Sequence, residues 1–220
     1  DVDKEFSARI NVEIPLKKFY SVSLGIDKPN VIWKSKDDRK VCNIVFSGNY
    51  DYRPNFEAAK FIVDVLSSSF VGESISYIFH LVGSSSIDLH SSLNIKNRDN
   101  IIIAGFVDDL DAYLVNMDIF ISPLFSGAGM KNKVLKAMSL GIPFIGTSIS
   151  IDGIPEMKNE SNCLIVDDID GIIWKDSIVN FFTDFNLMLM SSKSTREITN
   201  KYYSWDSRIM EFIKILELDE

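Results

Sequence analysis

The 220 residues are 46% hydrophobic and 25% charged, enough length and apolar material for one globular domain with a substantial core. Lys and Arg number 23 against 31 Asp and Glu, and the resulting charge of −8 argues against nucleic acid as the main partner, because phosphates call for a basic face. No run of 18 apolar residues offers a membrane span, and two cysteines with two histidines form no ligand spacing, so no metal site is expected.

Cys42 and Cys163 sit in apolar runs and read as small core residues in a reducing compartment. His80 lies within Ile78-Phe79-His80-Leu81-Val82, where a buried structural role is expected. The chain starts at Asp1, without a methionine or signal-like segment, and reads as a fragment or excised domain.

Residues 1–40 are mixed and polar, a lead-in or incomplete element in which Tyr20 to Asp27 suggests one strand and a turn. From Cys42 the rhythm is regular. Cys42 to Phe46 is a buried strand, and a polar loop then leads to Pro54, which suits a first helical turn. That helix is expected to run to Leu66, with Phe56, Ala59, Ile62, Val63 and Leu66 on one face. Further strands are expected at Ile75 to Val82, Ile101 to Ala104, Asp118 to Ser122, from Pro143, and at Asn162 to Val166. Asp108-Asp109 should open a helix reaching Asn116, since acidic groups favour a helix N-terminus. Asp170 to Met190 and Thr195 to Glu217 read as two or three helices with apolar faces.

Strands alternating with helices predict an α/β fold, a doubly wound and mostly parallel six-stranded Rossmann-like sheet with helices on both faces and a helical C-terminal tail. The organisation reads as a lead-in (1–40), a core (41–168) and C-terminal helices packing on it (169–220). Ligands in such sheets sit beyond the carboxyl ends of the strands. Four glycine-containing loops converge there: 47–54, 83–86, 105–107 and 123–131. The last, Ser126-Gly127-Ala128-Gly129-Met130-Lys131, precedes a helix that closes at Gly141. Its amides and the positive end of the helix dipole suit an anion, and Lys131 and Lys133 add charge. Glycines that merely make the turn, beside solvated lysines, are the plainer reading of that loop alone. It matches neither the dinucleotide fingerprint nor the P-loop.

Several segments are familiar together. Phe46 to Asn55, Gly105-Phe106-Val107-Asp108-Asp109-Leu110, Asp118 to Pro123, Gly127 to Leu135, Ala137-Met138 with Gly141-Ile142-Pro143, Asp152-Gly153-Ile154 and Tyr203-Ser204-Trp205 resemble, in order and spacing, the carboxyl-terminal lobe of GT-B glycosyltransferases. The resemblance covers about residues 41–215. It implies a retaining, metal-independent enzyme of the large bacterial glycogen-synthase-like superfamily (glycosyltransferase family 4 type), and a lobe that binds a nucleoside-diphosphate sugar as donor substrate, without a cofactor. By that resemblance Gly48, Asn49, Arg53, Ser126, Gly127, Ala128, Gly129, Met130, Lys131 and Lys133 face the diphosphate and sugar. Gly105, Phe106, Val107 and Lys136 lie at the nucleobase and ribose. No catalytic residue is named.

The resemblance also implies an amino-terminal lobe that brings the glycan or lipid-linked acceptor, a role in surface polysaccharide or lipopolysaccharide assembly, and a cytoplasmic location. Any peripheral membrane contact would reside outside these residues. The sequence departs from the family at Ala128 and Lys136, where glutamates eight residues apart are frequent, and at Asn49, where arginine is usual. Loss of both carboxylates is the reason to weigh a catalytically silent lobe that binds a sugar, nucleotide or protein partner.

Overall fold

A computed structural model describes residues 22–35, 40–85, 87–93, 95 and 99–217. Six strands form one sheet: β1 (Val41–Ser47), β2 (Ser76–Val82), β3 (Ile101–Gly105), β4 (Ile119–Ser122), β5 (Phe144–Gly146) and β6 (Leu164–Ile165). Every pairing is parallel and the order is β3-β2-β1-β4-β5-β6. Ile44, Val45 and Phe46 of β1 and all of β4 are buried, as continuous apolar strands covered on both faces should be. The order reverses between β1 and β4, so their carboxyl ends flank the crevice where such sheets bind ligands.

Helices connect the strands: α1 (Arg53–Phe61), α2 (Leu89–Ser92), α3 (Leu110–Leu114) and α4 (Asn132–Leu140). The helix expected to reach Leu66 stays regular only to Phe61, then widens into a π-helical stretch (Ile62–Leu66) and tightens into a 3-10 turn (Ser67–Phe70). The expected helix at 108–116 is shorter, because Asp109 is its cap: its carboxylate accepts from the Ala112 amide at 2.9 Å.

After β6 come α5 (Gly171–Thr183), α6 (Phe185–Ile198) and α7 (Trp205–Glu217). The two or three helices expected over 170–217 are three, and the break within 170–190 falls at Asp184, whose carboxylate caps α6 through the Leu187 amide at 3.0 Å. Among residues 22–27 there is only an isolated bridge of Ile26 to Ser204, in place of the expected strand, and Tyr20 and Ser21 lie outside the described residues. The lead-in is nonetheless anchored. Trp33 is buried, donating from its ring to the Met117 carbonyl and from its amide to the Leu140 carbonyl, both at 2.8 Å.

His80 is buried within the sheet, where one ring nitrogen meets the Tyr113 hydroxyl at 2.8 Å and the other the Asn43 side-chain oxygen at 3.1 Å. Both cysteines are buried and neither is in a disulfide. The last helix, α7, is turned unusually. Its Arg208 lies inward over the Tyr203 ring and pairs with Glu211 at 2.7 Å, whereas Trp205, Ile209, Phe212, Ile213 and Leu216 are 41–55% exposed.

Candidate functional site

Backbone contacts build the floor of the site. The Gly48 amide donates to the Val82 carbonyl at 3.0 Å, Gly83 to Gly105 at 2.8 Å, and Tyr50 to Ser84 at 2.9 Å. The loops after β1, β2 and β3 therefore lie edge to edge. Gly83 makes this possible: its φ is +134°, and a Cβ there would stand 1.9 Å from the Gly48 oxygen. At the far end Phe106 is 76% exposed beside a cavity of about 390 Å³ bordered by Gly83, Ser85, His90 and Gly105. Val107 is half-buried behind it.

The loop after β4 supplies the other wall. Gly127 and Gly129 have φ of +100° and +74°, a left-handed pair that places the loop against Tyr52 and Pro54 of the β1–α1 connection. Ala128 is exposed and Met130 half-buried. Ser126 donates to Glu57 at 3.4 Å. The Gly129 amide, expected to be open to a ligand, donates instead to the Asp152 carboxylate at 2.8 Å. The Lys131 ammonium donates to the Gly129 carbonyl. Burial lowers its pKa, a shift that Asp152 partly opposes.

The cations divide sharply. Arg53 is 87% exposed and held by Glu57 at 2.7 Å, and Lys136 pairs with Asp111 at 2.9 Å. The positive charge expected from these two is thus already neutralised. Lys133 is different. It reaches across from α4, donates to the side-chain oxygen of buried Asn55 and lies 4.4 Å from the centre of the Phe46 ring. It has no carboxylate within 4.0 Å among the described residues. Burial, reinforced by the neighbouring Lys131 charge, pushes its pKa down to about 7. Asn55 fixes this arrangement by donating to the Asn49 carbonyl at 2.7 Å, while the Asn49 side chain accepts from the Asp51 amide at 2.9 Å to shape the turn. Gly48 lies directly alongside, its missing Cβ 3.1 Å from the Lys133 nitrogen. The structure therefore brings Gly48, Asn55, Lys133 and the Gly127–Met130 loop together at the β1/β4 crevice.

Glu57 and Asp111 have no place in the sequence-based site, and Asn55 and Asp152 enter it only within longer motifs, without a role. The Arg53–Glu57 pair carried a signal, four residues apart on one helix. The other partnerships join residues distant in sequence and left none. Among the described residues no group of three or more His, Cys, Asp or Glu is placed to hold a metal, and no helix is long and apolar enough to cross a membrane.

The family profile described as "Glycosyl transferases group 1" matches residues 42–184, well over half of the chain. The chain belongs to that family. Solved structures agree on the fold. TarM from S. aureus, in a complex that includes UDP, superposes with a TM-score of 0.72 at 12% identity, over 96% of this chain and 41% of TarM. Anabaena HepE in complex with UDP gives 0.73 at 12% identity, over 96% of this chain and 60% of HepE. The C-terminal domain of a group 1 family protein, LpcC from Francisella tularensis, gives 0.63 at 14% identity, over 82% of this chain and all of that domain. The chain thus spans between two and three fifths of the length of TarM and HepE and has the architecture of a carboxyl-terminal GT-B lobe. Among curated proteins none matches the sequence.

Proposed function

We propose that this chain is the donor lobe of a retaining sugar transferase, which moves a sugar from a nucleoside diphosphate to an acceptor hydroxyl. The observation that carries the reading is Lys133, a half-buried ammonium with no carboxylate within 4.0 Å among the described residues, beside Gly48 at the switch point of the sheet. A diphosphate there would gain a charge-assisted bond in a partly desolvated place, where it is strong. As the glycosidic phosphate bond breaks, charge grows on the leaving diphosphate, and a preorganised ammonium with nearby amides lowers the barrier. The base would lie toward Phe106, exposed at the other end of the loops. UDP bound to HepE and TarM supports a nucleotide of this kind.

The acceptor, a glycan or a lipid-linked one, would be brought by a further lobe, as in surface polysaccharide or lipopolysaccharide assembly at the cytoplasmic face of a membrane. The five large apolar side chains on the outer face of α7 support such a lobe, because a face of that size is usually covered. A catalytically silent lobe is the second reading. It is favoured by the Lys136–Asp111 pair, which occupies the position where the family frequently places a glutamate. Calorimetric titration with UDP, GDP and their sugars tests the donor reading. Saturable binding of one nucleotide series is expected, and no heat from any of them at millimolar concentration would contradict it.

A further inference from the structure

Beyond the glycine loop, on the side away from Phe106, lies a second cavity of about 880 Å³, within the size range of small-molecule sites. Leu24, Met130, Asn132, Ser148, Ile151 and Asp152 are among its lining residues. Asp152 is anchored through Oδ2, which accepts from the Gly129 amide at 2.8 Å, and its Oδ1 has no hydrogen bond among the described residues. The loop that carries it is pressed onto the glycine loop, since a Cβ on Gly153 would stand 3.2 Å from the Met130 amide nitrogen. A fixed carboxylate near the Lys131 charge, with an oxygen that makes no hydrogen bond among the described residues, lies between apolar walls and an amide side chain and suits a neutral polyol. Vicinal hydroxyls would donate to it, whereas a phosphate would be repelled by it.

We propose that Asp152 and this cavity hold the transferred sugar, an inference that rests on the donor-lobe reading. The topology supports the direction. The loops after β3, β2, β1, β4 and β5 follow one another along the carboxyl edge, covering about 19 Å at about 4.8 Å per strand. A nucleotide sugar is a linear string of base, ribose, diphosphate and sugar. With the base at Phe106 and the diphosphate at Gly48 and Lys133, the sugar reaches the loop after β5, which is where Asp152 stands. Asp152 is on this account a specificity residue that acts on hydroxyls and not on the phosphates.

The test compares Asp152→Asn with the native chain by calorimetry, using a nucleoside diphosphate and its sugar conjugates in parallel. Asparagine keeps an oxygen for the Gly129 amide and loses the charge. The affinity for the sugar conjugate is expected to fall about tenfold, with the free diphosphate unchanged within about twofold. Unaltered affinity for the conjugate, or an equal loss for both ligands, would overturn the assignment of Asp152 while leaving the donor lobe intact. Failure of the native chain to bind any nucleotide would overturn both.

Discussion

Lys133 shows how the surroundings of one side chain reset its chemistry. A lysine in a first helical turn is ordinarily solvated, but this one is drawn over the Phe46 ring toward Asn55. Its folded pKa of about 7 lies below the ordinary 10.5, so between those values the unfolded chain binds the proton more tightly. Stability should therefore rise with pH from about 7 to 10.5, and the cost of burying the charge is fully felt below that window. Anion binding has the opposite preference, because it needs the ammonium. Affinity for a nucleoside-diphosphate sugar should be steady below pH 7 and weaken by up to about tenfold per pH unit above it, as measured by calorimetry between pH 6 and 9. A flat profile would mean that Lys133 does not meet the diphosphate.

At the scale of elements, the strands were legible because each is a short apolar run bounded by polar or glycine residues. Cys42 to Phe46 and Asp118 to Ser122 were placed within a residue or two of β1 and β4. Helix ends were less legible, because they depend on which side chain turns back to the backbone. Asp184 is the clear case: in the sequence it interrupts an apolar stretch no more than Asp176 does, yet it ends α5 and caps α6. Asp184→Ala should cost about 1 kcal/mol in urea unfolding, the usual loss for an N-cap acceptor. The glycine loops were legible as loops. Their occupancy was not, because the Asp152 that takes the Gly129 amide and the Asp111 that takes Lys136 arrive from other connections.

For the whole molecule, the parallel sheet places every loop of interest on one edge, and the segment around Ile26 meets the start of α7 elsewhere, at the Ile26–Ser204 bridge. There, among the described residues, the outer face of α7 is apolar and its Arg208 faces inward, the reverse of a helix that turns its polar side to solvent. Phe212→Ser should accordingly cost only about 1 kcal/mol in urea unfolding, because half of the ring's surface is exposed here. A loss of several times that amount would show that the face is already covered by the chain itself.

One cation at the switch point, Lys133, carries the donor reading. Calorimetric titration of the native chain and of Lys133→Ala with the nucleoside diphosphate that binds best tests it most directly. Loss of a hydrogen-bonded charge of about 1.5–3 kcal/mol predicts a ten- to hundredfold weaker affinity, roughly. Equal affinity in the two proteins would contradict it.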